Sequence, residues 1–195
     1  MRRFSSLFFS ILLIVGTVDA GAQVVESATG RQVSITAGGM ASIFQPDFIG
    51  GYDSNYNAVA QASSYPLFGV GAYVDLRLSR WVQIEAEARW LRWNQYYGIY
   101  QDNYLIGPRL PVYRFRRATV YGKALAGFAK MDFGSNFGDW RGRFTDIAFG
   151  GGVDVKLTKR ISLRAADVEY QYYPYWSNYS LSPYGASMGM SYKIF

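Results

Sequence analysis

The chain has 195 residues, a length suited to one domain, and carries 20 Lys and Arg against 14 Asp and Glu for a formal net charge of +6. It contains neither Cys nor His, which excludes disulfides, thiolate or imidazole metal sites, and Ser–His or Cys–His catalysis. Half of the residues are hydrophobic, yet the mean hydropathy of −0.05 is far too low for a bundle of spanning helices, and the 21 Gly and 17 Tyr suit strands, turns and membrane interfaces.

The first 22 residues read as a signal peptide. Arg2 and Arg3 form a basic start, Leu7 to Val15 an apolar run broken only by Ser10, and Ala20-Gly21-Ala22 a cleavage site. The run is much shorter than the roughly 20 residues of a spanning helix. Its removal takes away Arg2, Arg3 and Asp19 and lowers the net charge from +6 to +5. A single barrel domain is expected over 23–195.

Beyond the leader, alternation with a period of two dominates. The spacing predicts eight strands, over about 32–44, 66–78, 81–93, 104–113, 118–131, 144–157, 161–173 and 183–195. In the second, Val70, Ala72, Val74, Leu76 and Leu78 alternate with Gly71, Tyr73, Asp75 and Arg77. In the third, Val82, Ile84, Ala86, Ala88 and Trp90 alternate with Gln83, Glu85, Glu87 and Arg89. Val120 to Phe128 and Phe149 to Leu157 repeat the pattern around Lys123, Asp154 and Lys156. These runs match the roughly 9–11 residues of a tilted spanning strand.

Tight reversals at 77–81, 114–117 and 158–160 alternate with longer connections near 45–65, 94–103, 132–143 and 174–182, as in bacterial outer-membrane barrels. A weak repeat matches Val74–Ser79 with Val153–Thr158. Two places break the pattern. Pro108 and Pro111 fall in the fourth strand, where proline cannot donate to the ladder, so a bulge or an early strand end is expected. In the seventh strand the apolar parity changes between Ala165 and Val168, which a bulge at Ala165-Ala166 would restore.

Alternation alone does not say which face meets water. A soluble lipocalin-type barrel keeps apolar residues inside, whereas a membrane barrel turns them outward. The apolar faces are rich in Ala and Gly, which would fill a soluble core poorly. Aromatics gather near strand ends, including Phe44, Tyr65, Trp81, Trp90, Trp93, Tyr104, Tyr113, Tyr172, Tyr184 and Tyr192, as in interfacial girdles. The polar face holds Asp75, Glu85, Glu87, Asp146, Asp154, Asp167 and Glu169 together with Arg77, Arg89, Arg109, Lys123, Lys156 and Arg164. This near balance predicts an ion-paired lumen without a diffusion channel, since an eight-stranded barrel is only wide enough for side chains.

Strand number, alternation, turn asymmetry, Gly107-Pro108-Arg109 and the closing Ser191-Tyr192-Lys193-Ile194-Phe195 resemble the small outer-membrane barrels of the OmpA and OmpX type over about 32–195. The terminal Phe fits the end that the barrel-assembly machinery reads. The alternation through Met188, Met190, Tyr192 and Ile194, however, is one residue out of step with it. The resemblance implies an all-β, closed, antiparallel up-and-down barrel, a location in the outer membrane, and no peptidoglycan-binding domain in this chain.

Gly150-Gly151-Gly152 lacks the spacing of a phosphate loop and suits close backbone approach. Glu85 and Glu87 suit pairing with bases better than glycosidase chemistry. The short turns are basic, at Arg80, at Arg114, Arg116 and Arg117, and at Lys159 and Arg160, which suits either anionic headgroups or plain solvation. No nucleic-acid motif accompanies them. Tyr52–Tyr56, Trp93–Tyr100 and Tyr172–Tyr179 supply aromatic loops suited to an extracellular ligand or to an extended girdle. The leading expectation is a monomeric, non-enzymatic outer-membrane barrel contacting lipid, with no cofactor. The alternatives are a small porin-like channel, a membrane-embedded lipid-modifying enzyme and a soluble lipocalin-like binder.

Overall fold

The computed structural model describes residues 33–46, 66–79, 81–94, 98–132, 141–174 and 180–195. The expected signal peptide, Arg80 and much of the expected aromatic loops lie outside them. Eight strands run β1 Ser34–Gln45, β2 Leu67–Arg77, β3 Gln83–Leu91, β4 Tyr100–Phe115, β5 Ala118–Asp132, β6 Arg141–Lys156, β7 Ile161–Tyr172 and β8 Tyr184–Lys193. Each pairs antiparallel with its sequence neighbours, and β1 pairs with β8, which closes the barrel. Closure leaves no free strand edge, the condition for a sheet to sit in hydrocarbon.

The strands follow the alternation read from the sequence, with β4 extended at both ends and β6 starting three residues early, at Arg141. β4 starts at Tyr100 rather than near 104. Its first residues carry no apolar face, because Gln101 and Asn103 turn inward and the outward Asp102 is neutralised by Arg92. The strand does not end early at its prolines. It continues to Phe115 and absorbs them: the ladder to β5 carries no pair at Gly107 or Pro108, and a bulge at Val112 shifts the register between Pro111 and Tyr113. In β7 the expected bulge is present. Arg164 pairs with Asp154 and Ala166 with Val153, leaving Ala165 without a partner on β6. The extra residue keeps both Arg164 and Asp167 pointing inward.

The repeat between 74–79 and 153–158 ends in the same turn device. The Ser79 hydroxyl accepts the backbone N–H groups of Trp81 and Val82 (3.2 and 3.0 Å), and the Thr158 hydroxyl those of Arg160 and Ile161 (3.2 and 2.9 Å). The β4–β5 turn instead places Arg116 at φ 46°, in the left-handed region.

Apolar side chains point away from the axis. Val70, Val74, Ile106, Leu110, Phe149, Val168 and Met188 are exposed, while Asp75, Glu85, Glu87, Arg89, Lys123 and Arg164 are buried. Trp90, Tyr104 and Phe128 form an outward aromatic row at the long-loop end, with the Trp90 indole donating to the Tyr104 hydroxyl (3.1 Å) and Tyr104 stacked on Phe128. Phe44 corrects the girdle expectation. It is fully buried in the lumen against Leu67 and Leu91, because it shares the inward parity of Met40 and Ser42.

Candidate functional site

Inward parity on β2, β3, β4, β5, β6 and β7 gathers most of the lumen charges into one cluster, and two glycines make room for them. Gly150 stands between Lys123 and Glu169 in the register, and Gly152 between Tyr121 and Asp167. A Cβ at Gly152 would lie 2.1 Å from the Ala166 carbonyl oxygen and 2.7 Å from the Tyr121 hydroxyl. The glycine run is therefore the interior of a strand, where close approach forbids side chains, and not a phosphate loop.

Lys123 is the hub. Its ammonium lies 3.3 Å from Glu85, 3.0 Å from Glu87, and 2.9 Å from both Asp167 and Glu169. Arg89 bridges Glu87 (2.6 Å) and Glu169 (2.9 Å). Arg164 holds Glu85 (2.6 Å) and Asp167 (3.1 Å) and reaches Asp75 (3.5 Å) and Asp154 (3.6 Å). Arg109 pairs with Asp75 (2.7 Å), Glu85 (3.6 Å) and Asp154. Four cations thus serve six carboxylates. A charge buried without a partner costs several kcal/mol, so these groups depend on one another.

The remaining three predicted lumen residues stand outside this cluster. Asp146 accepts an amide hydrogen bond from Asn103 (2.6 Å) rather than a cation. Arg77 and Lys156 face inward near the short-turn end, and neither has an ion-pair partner among the described residues. Oxygens of Glu85, Glu87 and Asp167 lie within 4.8 Å of one another, a spacing that could hold a metal ion. The Lys123 ammonium contacts all three carboxylates and occupies that cationic role.

Sequence reasoning missed the aromatic and amide parts of the interior. The Arg164 guanidinium stacks 3.6 Å from the Tyr73 ring centroid, Arg109 equally close to Tyr121, and Arg89 lies 4.2 Å from Phe44. Toward the long loops, the Gln101 amide donates to Gln171 (2.9 Å) and to the Tyr173 hydroxyl (2.7 Å). Above this layer Ile99, Ala129, Met131, Tyr173 and Leu181 pack together, with Phe144 against them. The available signal was parity: Tyr73 and Tyr121 stand on the charged side of their strands.

A family model described as the outer membrane protein beta-barrel domain matches residues 10–193. Among solved structures, the N-terminal β-barrel domain of Pseudomonas aeruginosa OprF is 12% identical with a TM-score of 0.57, over 84% of this chain and 100% of that one. Neisserial surface protein A is 12% identical with a TM-score of 0.55, over 82% and 96%. Outer membrane protein OprG of Pseudomonas aeruginosa is 11% identical with a TM-score of 0.53, over 84% and 96%. At these identities the likeness is one of fold. No curated protein sequence matches the chain at a significant level.

Proposed function

This chain belongs to the outer membrane protein beta-barrel domain family, and from that premise we propose that it is a non-enzymatic, monomeric integral outer-membrane barrel with a plugged lumen, structural or surface-interacting in role. The observation that carries the reading is the inversion of the two faces around Lys123. Val74, Ile106 and Phe149 project outward where lipid would lie, while Lys123, with no exposed side-chain surface, joins carboxylates of β3 and β7 across the axis. A soluble lipocalin-type barrel needs the opposite arrangement. The outward row Met188, Met190, Tyr192 and Ile194 supports a role for β8 in recognition by the barrel-assembly machinery.

The test is planar-bilayer recording of the refolded chain, together with membrane fractionation and heat-modifiable gel mobility. Outer-membrane fractionation with no stepwise conductance is expected. Reproducible conductance steps would remove the plug and favour the porin-like alternative. Recovery only in the soluble periplasm would remove the membrane reading itself.

A further inference from the structure

The short-turn end of the barrel opens into a basin of about 580 Å³. Its charged lining is Arg77, Arg117, Lys156, Lys159, Arg160 and Lys193, with no Asp or Glu among the described residues that line it. The basin leads inward to a pocket of about 60 Å³ bounded by Arg109, Asp75, Asp154 and Tyr121. Those two carboxylates pair with Arg109 and reach Arg164, so their charge is largely met from the interior side, and they stand beneath the basin rather than in its lining. The Nε of Arg77 is buried and has no hydrogen-bond partner among the described residues. Ser34, Thr36 and Ser162 add hydroxyls to the same wall.

We propose that this basin is an anion site that takes phosphate groups from the side of the short turns. Three of its cations, Arg77, Lys156 and Lys193, come from inward positions on β2, β6 and β8. The others stand on or beside the turns, where Arg160 is steadied by donating to the Tyr192 hydroxyl (2.8 Å). Several Lys and Arg converging on one concavity suit a multiply charged phosphate, for which guanidinium and ammonium donors form charge-assisted hydrogen bonds. The phosphate could arrive as a lipid headgroup of the adjacent leaflet or as a soluble phosphorylated molecule. The compartment rests on the outer-membrane reading; the site itself does not.

The probe is inorganic tripolyphosphate, titrated calorimetrically into the refolded full chain in an uncharged detergent. Saturable binding that weakens as salt rises is expected. The double variant Lys156→Gln with Lys193→Gln should weaken it at least tenfold. Lys130→Gln with Arg143→Gln removes the same charge from exposed positions near the other end and should leave it unchanged. Retained heat-modifiable mobility establishes that each variant is folded. Equal weakening by both pairs, or no saturable binding to the parent chain, would overturn the proposal. Repeating the titration in nanodiscs separates the sources. If phosphatidylglycerol suppresses tripolyphosphate binding relative to phosphatidylcholine alone, the headgroup is the occupant; if it does not, the ligand is soluble. Fractionation and conductance are read independently, so failure here leaves the barrel reading standing.

Discussion

The middle of the lumen and its short-turn end are built from the same residue types and behave oppositely. In the middle, Lys123, Arg89 and Arg164 have no exposed side-chain surface, and each cation meets at least two carboxylates. At the short-turn end, Lys156 and Lys193 are exposed in a basin whose lining, among the described residues, holds no Asp or Glu. The difference teaches that charge alternation along a strand does not by itself make an ion-pair network. Depth does: where water is excluded, each charge must find a counter-charge, and where water enters, it need not.

The sharpest way to break this comparison is Lys123→Met. It leaves four buried carboxylates without their shared ammonium, and removing one partner of a buried pair costs about 3–5 kcal/mol. Urea unfolding of the barrel in detergent should show a loss of that order. Adding Glu87→Gln should return part of it, because one of the stranded charges is then gone. A loss below about 1 kcal/mol would mean that water reaches the middle of the lumen and that the two regions do not differ as described.

A smaller effect is expected from Asn103→Leu in the layer beneath the apolar cap. The Asn103 amide donates to Asp146 (2.6 Å) and to the Tyr173 hydroxyl (2.9 Å). Its loss orphans a buried carboxylate oxygen, at a cost of about 1–3 kcal/mol. The same unfolding assay reads it. Lys123→Met and Asn103→Leu should add approximately if the two layers are energetically separate.

Much of the barrel was legible because period-two alternation is written directly into β2, β3, β5 and β6. The parity change at Ala165 even located a bulge. The limits came where burial and hydrophobicity part company. Phe44 looked like a girdle residue because aromaticity says nothing about parity, yet its ring lies inside, against Arg89. Tyr100–Asn103 looked like loop because a strand with polar residues on both faces has no alternation to read. All thirteen charges expected in the lumen share its inward parity. Sequence could not tell which would pair, since pairing depends on neighbours as many as four strands away. Lys123 of β5 and Glu169 of β7 meet only because Gly150 between them has no side chain.

The β4–β5 turn offers a local contrast to both lumen regions. Arg116 holds a left-handed φ of 46°, which glycine adopts without the Cβ clash of other residues. Arg116→Gly should therefore relieve strain while adding freedom to the unfolded chain, with a net gain of no more than about 1 kcal/mol. Arg116→Val, with a branched Cβ at positive φ, should lose stability instead. A gain with Val would show that the turn is not held in that region.

The smallest effect is expected at Lys156, and it tests the comparison from its other side. Lys156 shares inward parity with Asp154 on the same strand, and sequence alone gave both the same role. Asp154 is held by Arg109 and Arg164, whereas Lys156 has exposed surface and no carboxylate partner among the described residues. Lys156→Gln should change stability by no more than about 0.5 kcal/mol in either direction, as for a surface substitution that leaves nothing stranded. Any gain should shrink with added salt, because it would come from relieving repulsion among the rim cations, which salt already screens. Asp154→Asn, two positions deeper on the same face, should cost clearly more in the same assay. Equal effects from the two substitutions would show that the boundary between paired interior and wet basin does not fall between them.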